Sequence, residues 1–433
     1  MFPLTIHYFD QLIPYSFAYV HHSLKFIIFY TLTRIIFNYY CYMRFIKSKT
    51  MFVSTYEVYV PPFVNKLTLN GLHTLLSTMS FARFNDEHKP KWIDKNVLVT
   101  GGASFIGSHL VDKIVSFGAN VTVVDDLSSG SLDNLSAISD RITFIRMDLE
   151  YIKKDELREI FDNQNIVFHL AAVHGGRGYI QTHPADVCSN LSIDHHVFEA
   201  VAESNCIENL VFASTACVYP SDLQKKIGTN YKLKENDSDP KMLERYMSAD
   251  IEYGWGKLMS EMQLNAFINQ YGIKGCPVRF VTAYGPKENE SHAIIALIYK
   301  AITRMDPYKI WGNGEQERDF TYVEDIVNGT ILASERVFDG DPINLGTGQK
   351  HKLIDVAETI FKLIDWRPTK INFELSMPVG PLSRALDNTR AKERLGWEPR
   401  FSLEEGLKRT IEWYKHAPRN NRTNKDLLLE RIT

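Results

Sequence analysis

Residues 96–110 read NVLVTGGASFIGSHL, and this stretch decides the fold. The apolar run at 97–99 is typical of a strand that is buried on both faces. Gly101 allows a sharp turn where a side chain would block close approach, and Ile106 and Leu110 then repeat at helical spacing. A helix that begins facing a strand end offers unpaired N–H groups and the positive end of its dipole. The stretch therefore predicts a strand, a turn and a helix start that can bind a phosphate group.

The following strands carry acidic residues at their ends. Residues 121–124 (VTVV) predict a second buried strand that ends in Asp125 and Asp126. A carboxylate at that point accepts hydrogen bonds from an adenosine ribose and repels a 2′-phosphate, so NAD is favoured over NADP. Further strands are predicted at 142–146 and 166–170. Alternating strands and helices of this kind indicate an α/β protein with a Rossmann-type, doubly wound parallel sheet.

The composition of the whole chain is that of an ordinary globular protein. The chain has 433 residues, a hydrophobic content of 44% and a formal net charge of −3. Such a charge gives no electrostatic argument for a nucleic-acid partner. The cysteines are scattered, predict no metal site and favour a reduced, cytoplasmic setting. They are Cys41, Cys188, Cys206, Cys217 and Cys276.

Residues 1–50 differ in composition from the rest of the chain. They are rich in Phe, Ile and Tyr, Asp10 is their only acidic residue, and Arg34 lies in the middle of the apolar run 26–45. An arginine there disfavours a membrane-spanning helix by about 3 kcal/mol. We expect an extension that either lies at a membrane interface or is an upstream segment outside the working protein, and we rank a true span below both. Residues 51–91 are predicted to be a linker.

Loops that follow the later strands carry reactive side chains. The loop 174–178 (HGGRG) follows the fourth strand, at the edge where open α/β sheets bind ligands. The fifth strand, 210–213, leads into Thr215 and Cys217, whose hydroxyl and thiol can contact a reacting group; a buried structural thiol is the alternative for Cys217. Tyr253 and Lys257 share one helix face, where the ammonium is expected to lower the pKa of the phenol. The phenol is then a candidate base for a sugar hydroxyl.

A series of segments in order along the chain resembles one family. The chain is similar to the extended short-chain dehydrogenase/reductases, in the group of nucleotide-sugar epimerases and dehydratases. The resemblance implies an NAD-binding Rossmann domain at 92–275, a smaller α/β domain for a nucleotide-diphosphate sugar at 276–416, a polar tail at 417–433 and a homodimer. The matching segments are TGGASFIG, VVDDLSSG, MDL, VFHLAA, FASTACVYP, YGWGK, RFVTAYGP, RDFTYVEDI, INLGTG and DNTRAKERLGW.

The resemblance also implies roles for individual residues. The family's oxidising triad matches Thr215, Tyr253 and Lys257. Ser104 replaces the middle glycine of the fingerprint, and Thr282 replaces the usual asparagine before YGP. The predicted NAD contacts are Gly101, Ser104, Phe105, Ile106, Gly107, Asp125, Asp148, Leu149, Ala171, Tyr253 and Lys257. The predicted substrate contacts are Gly175, Gly176, Thr282, Arg318 and Arg384.

Within this family, the segments STACVYP and ESHAIIAL and the double glycine after HLAA resemble GDP-mannose 3,5-epimerases and GDP-fucose synthases. In those enzymes a cysteine two residues after the catalytic hydroxyl is an acid/base, and Cys217 matches it. His292 matches a histidine that is the second proton carrier of the synthases, whereas the 3,5-epimerases use lysine near that position. A capping or surface role is the alternative for His292. Dehydratases need Asp–Glu where this chain has Ala216 and Cys217, so dehydration is not expected.

These residues predict an NAD-dependent nucleotide-sugar epimerase that acts through a transient 4-keto sugar. Tyr253, Thr215 and Lys257 would serve the oxidation, and Cys217 and His292 would exchange protons on adjacent carbons. One alternative is a UDP-hexose 4-epimerase or a 4-keto-sugar epimerase/reductase in which Cys217 takes no part. A more distant alternative is a nucleotide-sugar-binding protein without catalysis.

Overall fold

The computed structural model describes residues 88–239 and 249–417. All of them lie in one compact unit of the chain, His73–Thr433. The predictions for residues 1–50, for most of the 51–91 linker and for nearly all of the 417–433 tail lie outside the described residues. Within the described ranges, no helix has the length and apolar character that crossing a bilayer requires.

The described chain alternates strands with helices through most of its length. The strands are β1 Asn96–Thr100, β2 Asn120–Asp125, β3 Ile142–Arg146, β4 Ile166–His169, β5 Asn209–Thr215, β6 Gly275–Phe280, β7 Thr282–Tyr284, β8 Tyr308–Trp311, β9 Glu317–Arg318, β10 Phe320–Tyr322, β11 Ile343–Leu345, β12 His351–Lys352, β13 Ile371–Glu374 and β14 Ser383–Arg384. The α-helices are α1 Phe105–Ser116, α2 Lys154–Phe161, α3 Arg177–Thr182, α4 Pro184–Cys188, α5 Asn190–Glu203, α6 Ile251–Tyr271, α7 Ala293–Ile302, α8 Val323–Arg336, α9 Leu353–Ile364, α10 Thr389–Leu395 and α11 Leu403–His416.

Seven strands form one sheet in the order β11-β6-β5-β4-β1-β2-β3, and all neighbouring pairs are parallel. The central strands are apolar because helices cover both faces: Val97, Leu98 and Val99 are fully buried. The chain runs outward from β1 to β3 and then crosses to β4 on the other side of β1. Ligands bind at the carboxyl ends of strands where such a reversal occurs. The predicted doubly wound α/β fold is confirmed.

The later part of the chain adds small sheets beside the large one. They pair β10 with β7, β13 with β8, and β9 with both β12 and β14. The predicted boundary between residues 275 and 276 falls inside β6, and β11 also belongs to the large sheet. The chain therefore returns to the large sheet after it has first entered the second region.

Two local predictions need correction. Residues 88–92, at the end of the predicted linker, form a helical turn in which Trp92 Nε1 donates to Glu335 Oε1 of α8 at 2.9 Å. The ring of Trp92 is buried against the core, and that apolar contact orders a stretch with little periodicity of its own. The predicted loop 174–178 ends earlier, because α3 begins at Arg177.

Candidate functional site

The turn between β1 and α1 is closed by glycines that no other residue could replace without movement. Gly101 has a φ of +70°, and a Cβ there would lie 2.7 Å from the backbone nitrogen of Ala171. A Cβ on Gly107 would lie 2.1 Å from the carbonyl oxygen of Gly101. The Ser104 hydroxyl donates to that same carbonyl oxygen at 2.8 Å, so serine fits the position of the missing glycine.

The first turn of α1 faces this glycine turn and the end of β4. The amides of Phe105, Ile106 and Gly107 fall in the turn that helix geometry leaves without intrahelical partners. A close-packed backbone cradle with free donors at a helix start suits a pyrophosphate. The residues present therefore fit a dinucleotide at this edge of the sheet.

Asp125 lies at the end of β2 and is 6% exposed. Its carboxylate accepts hydrogen bonds from the amides of Ala103 and Leu127, both at 2.9 Å. Burial raises the pKa of Asp125, and these amides oppose the change. A carboxylate has lone pairs for further donors, so contact with a ribose stays a prediction compatible with these bonds.

The predicted contacts after β3 differ in exposure. The Asp148 side chain is exposed and accepts from the amide of Glu150 at 2.9 Å. Leu149 is buried, and its carbonyl oxygen lies 3.1 Å from Nδ1 of His196. Both residues lie at the carboxyl edge of the sheet, which is where the prediction requires them.

Thr215 ends β5 and begins the tight turn Ala216–Val218 that carries Cys217. The Thr215 hydroxyl oxygen accepts from the amide of Cys217 at 3.1 Å. The carbonyl oxygen of Cys217 accepts from the amide of Asp250 at 2.8 Å, just before α6. A Cβ on Gly254 would lie 2.2 Å from that carbonyl oxygen. Close packing of α6 thus brings its first turn against the thiol.

Arginine side chains surround the thiol on its other side. Arg384 Nη1 lies 3.3 Å from the sulfur of Cys217, and Arg384 Nη2 donates to Asp250 at 2.8 Å. Arg177 also donates to Asp250, at 2.9 Å from each carboxylate oxygen. Burial opposes ionisation of Asp250, but Arg384 and Arg177 outweigh it and hold its pKa below the ordinary value.

Arg318 is a third guanidinium close to this group. It donates to the carbonyl oxygens of Glu317 at 2.8 Å and of Val379 at 2.5 Å. Burial lowers the pKa of Arg318, and repulsion from Arg384 and Arg177 lowers it further. One carboxylate among three guanidiniums leaves an excess of positive charge, which suits an anionic ligand.

Three aromatic side chains, those of Tyr253, His174 and His292, form a row of neighbouring rings. The ring of His174 lies 5.3 Å from that of Tyr253 and 5.5 Å from that of His292, measured between centroids. His292 Nδ1 lies 2.8 Å from Glu288 Oε1, and its Nε2 atom is buried without a partner. Burial disfavours a charge on His292, but Glu288 outweighs it and raises the pKa of the imidazole. His292 is also the N-cap residue of α7, where its side chain makes no capping hydrogen bond, so its role as a proton carrier stays a prediction.

The predicted substrate glycines pack against this row. A Cβ on Gly176 would lie 2.4 Å from the carbonyl oxygen of Ser291 and 3.5 Å from the ring of His292. A Cβ on Gly175 would lie 2.8 Å from the side chain of Tyr179. Thr282, at the start of β7, pairs with Phe320 of β10. The glycines are thus adjacent to the predicted acid/base. The position of Thr282 follows from its strand pairing with Phe320.

The expectation that Lys257 lowers the pKa of Tyr253 is wrong for this structure. Burial raises the pKa of the phenol, and the nearby Cys217 and Asp194 add to the increase. The ammonium of Lys257 lies against Asp194, at 3.4 Å from Oδ2, and over the ring of Phe212 at 4.5 Å from its centroid. Sharing a helix face placed both residues in the site but did not fix where the ammonium points.

Sequence reasoning gave no role to several polar residues of the site. Two of them, His174 and Arg177, belong to the loop 174–178 that was expected to lie at the ligand edge. Glu288 lies four residues before His292, a spacing that could have suggested the pair. Asp194 and Asp250 carried no local signal, because their partners lie far away in sequence.

Comparison with known proteins agrees with this geometry. A GDP-mannose 3,5-epimerase of Oryza sativa subsp. indica is 31% identical over 332 residues, which cover 76% of this chain and 83% of the relative. A UDP-N-acetyl-α-D-glucosaminuronate decarboxylase of Bacillus cytotoxicus is 29% identical over 74% of this chain and 98% of its own length. The crystal structure of a UDP-glucose 4-epimerase from Thermotoga maritima with UDP-glucose has a TM-score of 0.66, 29% identity and coverage of 74% of this chain and 99% of its own.

The family is identified by a match over residues 97–346 to the model described as the NAD dependent epimerase/dehydratase family. The matched range contains the glycine turn, the Cys217 turn and the start of α6. The chain belongs to this NAD-dependent epimerase/dehydratase family, an extended short-chain dehydrogenase/reductase family whose cofactor is NAD.

Proposed function

We propose that the chain is a nucleotide-sugar epimerase that acts through a transient 4-keto sugar, as a GDP-mannose 3,5-epimerase does. One observation carries the proposal: two different groups that can carry a proton lie near Tyr253, one packed beside it and the other on the far side of the His174 ring. Cys217 packs in the same small cluster as the phenol of Tyr253, and His292 reaches it through the ring of His174. Epimerisation next to a ketone needs one group to remove a proton and another to supply one.

The charged neighbours of Cys217 and His292 help to assign which group removes the proton and which supplies one. The guanidinium of Arg384 contacts the sulfur of Cys217, with Nη1 at 3.3 Å. Glu288 favours the imidazolium form of His292, which can donate a proton. We therefore assign proton removal to Cys217 and proton delivery to His292.

The oxidising residues act on the C4 hydroxyl of the sugar. When bound, NAD supplies the reversible oxidation of that carbon. Tyr253 takes the hydroxyl proton, Thr215 orients the oxygen, and Lys257 contributes a positive charge beside them. The resulting ketone acidifies the C–H bonds on adjacent carbons, where Cys217 and His292 act. The reduction that follows restores C4, so the sugar undergoes no net redox change.

The positive groups support an anionic substrate. One carboxylate, that of Asp250, accepts hydrogen bonds from Arg177 and Arg384 and also lies near Arg318. We assign the diphosphate of a nucleotide sugar to this positively charged cluster. NAD is assigned to the 92–275 region and the sugar nucleotide to the 276–416 region, with Arg384 and Arg318 entering the site from the latter.

A homodimer is part of the proposal. Trp255, Met259 and Met262 lie on one stripe of α6 and are 41%, 43% and 42% exposed. An apolar stripe of this kind suits a helix-to-helix contact with a second copy.

A UDP-hexose 4-epimerase is the second candidate. It is favoured by the burial of Cys217, which is only 9% exposed and packs against Ile180 and Val187. In this alternative the thiol is structural, and C4 inversion requires the triad alone.

Proton exchange separates the two candidates. The protein with NAD and GDP-mannose is incubated in deuterated water, and a parallel sample receives a UDP-hexose; label at each sugar carbon is followed by NMR and mass spectrometry. We expect deuterium at C3 or C5, and a loss of about 10²-fold or more in its rate in Cys217→Ala and His292→Ala. The exposed residues Cys206 and His416 supply the controls Cys206→Ala and His416→Ala, which should exchange normally. Inversion of the UDP-hexose at C4 without label from GDP-mannose would establish the second candidate.

A further inference from the structure

Four polar side chains form a continuous buried row behind the candidate site. The Thr100 hydroxyl lies 2.7 Å from His169 Nδ1, and His169 Nε2 lies 2.9 Å from Asp194 Oδ1. The two carboxylate oxygens of Asp194 lie 3.5 and 3.4 Å from the ammonium of Lys257. The four residues are 0%, 1%, 0% and 2% exposed in that order. The row therefore joins the ends of β1 and β4 to α5 and α6 without contact with solvent.

The hydrogen bonds of the row converge on the carboxylate of Asp194. The amide of Ala171 donates to the hydroxyl oxygen of Thr100 at 3.2 Å, so the hydroxyl proton is directed to His169 Nδ1. Burial lowers the pKa of His169, and the neutral ring then carries its proton on Nε2 and donates it to Asp194; this tautomer follows from the hydrogen bonds. Each group in the row is satisfied, and the donated bonds end on a carboxylate.

Lys257 is buried, and its ammonium contacts a carboxylate and the face of an aromatic ring. Its ammonium lies over the ring of Phe212 at 4.5 Å from the centroid, and a buried, unpaired ammonium is strongly disfavoured. Burial lowers the pKa of Lys257, and Asp194 opposes that change. Distances of 3.4 to 3.5 Å exceed those of ordinary N–H···O bonds, so the carboxylate holds the ammonium mainly by charge.

Other titratable groups face Lys257 as well. Glu261 lies one turn later on α6, but Arg279 and Ser214 already occupy its oxygens. His169 from β4 and His174 from the loop after β4 carry no negative charge. Asp194 is therefore the carboxylate that balances the ammonium.

We propose that Asp194 is a positioning residue for the oxidation step: its carboxylate keeps Lys257 protonated within the buried site, and His169, anchored by Thr100, fixes the carboxylate. The inference rests on the proposed function only in giving Lys257 a part in the oxidation. A protonated Lys257 keeps a positive charge in the site, which offsets the negative charge that develops when the sugar hydroxyl loses its proton.

The first test is the pH dependence of single-turnover reduction of the bound cofactor by the substrate. In Asp194→Asn we expect the rate to fall by about tenfold per pH unit above the lowered pKa of Lys257, within a range where the wild-type rate is level. KM should change less than twofold. Asp194→Glu should restore a level profile. Glu199→Gln, an exposed carboxylate of α5 paired with Lys154, is the matched control and should behave as wild type.

A second test needs neither cofactor nor substrate. Lysine labelled with ¹³C at Cε is incorporated into the full chain, and the Lys257 resonance is identified by its loss in Lys257→Arg. We expect this resonance to titrate about 1–3 pH units lower in Asp194→Asn than in wild type. Asp194→Ser replaces Asp194→Asn if the latter does not fold, as judged by its thermal unfolding.

The outcomes separate this inference from the proposed function. An unchanged Lys257 titration together with an unchanged pH profile would overturn the role of Asp194 even if proton exchange occurs. A shifted Lys257 titration in a protein that exchanges no protons would support the role of Asp194 and overturn only the epimerase assignment.

Discussion

Helix α6 carries two buried ion pairs, one turn apart, that are built differently. Glu261 receives two hydrogen bonds from the guanidinium of Arg279, at 2.9 and 2.6 Å, and a third from the hydroxyl of Ser214 at 2.5 Å. Lys257 meets Asp194 only at 3.4 to 3.5 Å. We call the Glu261–Arg279 pair closed, because its two hydrogen bonds are short and bidentate. We call the Asp194–Lys257 pair open, because neither carboxylate oxygen lies closer than 3.4 Å to the ammonium.

The difference follows from what each pair faces. Arg279 lies in β6 and also donates to the hydroxyl of Tyr219 and to the carbonyl of Glu235, both at 3.0 Å. That pair therefore ties a strand, a helix and a loop together beneath the site. Lys257 faces the carboxyl ends of the strands, where a ligand binds. A closed pair suits a structural role, and an open pair suits a catalytic one.

The largest expected effect comes from breaking the closed pair. Arg279→Met leaves Glu261 as an unbalanced buried carboxylate, so we expect a loss of about 3–5 kcal/mol in the free energy of unfolding. Urea unfolding measures it. Arg367→Met, at an exposed pair with Glu358, should lose no more than about 1 kcal/mol. A similar small loss in both variants would show that the closed pair does not hold the fold.

The sequence predicted the large sheet well because its strands are local patterns. Buried apolar runs predicted β1 to β5 to within one or two residues, and the glycine turn predicted the tight β1–α1 connection that the structure shows. The short strands β9, β12 and β14 have two residues each, too few to show any periodicity. They were missed, although β9 and β14 carry Arg318 and Arg384.

The candidate site could be predicted only in part. Cys217, Tyr253 and His292 each lie beside a recognisable segment; Cys217 and Tyr253 share a buried cluster, and the ring of His174 lies between those of Tyr253 and His292. The open ion pair could not be predicted, since Asp194 lies 63 residues before Lys257 and 25 after His169. The predicted sign of the Tyr253 pKa shift was wrong because a spacing of four residues says nothing of burial, which raises the pKa of the phenol, or of Cys217 and Asp194, which add to the increase.

The open pair should also differ from the closed one in its response to pH. Burial keeps His169 neutral and lowers its pKa in the folded state, so below about pH 6.5 the unfolded chain binds a proton that the folded chain does not. The stability provided by His169 is therefore present at higher pH and is lost as the pH falls. The variant His169→Gln removes this titrating group and should reduce the slope of the free energy of unfolding against pH by about 1.4 kcal/mol per pH unit.

Urea unfolding between pH 7 and pH 5 measures that slope. Other buried histidines such as His109, whose pKa burial lowers to about 4, contribute to the wild-type slope, so the difference between variant and wild type is the quantity of interest. Ser214→Ala removes the neighbour of Glu261 in the closed pair and should leave the slope unchanged. Equal slopes in wild type, His169→Gln and Ser214→Ala would show that His169 does not contribute a pH-dependent stabilisation next to the open pair.

The smallest expected effect is at Thr100, the residue of the buried row that lies farthest from Lys257. Thr100→Val keeps the shape of the side chain but removes the hydroxyl that links Ala171 to His169, so we expect a loss of about 1 kcal/mol in the free energy of unfolding. Thr330→Val is the matched control: Thr330 is equally buried, and its hydroxyl donates only to the carbonyl of Ile326 within α8. Both variants should lose similar stability, but only Thr100→Val should shift the pH profile of cofactor reduction, and by less than Asp194→Asn does. If the row serves Lys257, the effect on the pH profile must weaken with distance from the lysine and be absent outside the row. A shifted pH profile in both variants, or in neither, would therefore show that Thr100 contributes only to the stability of the fold.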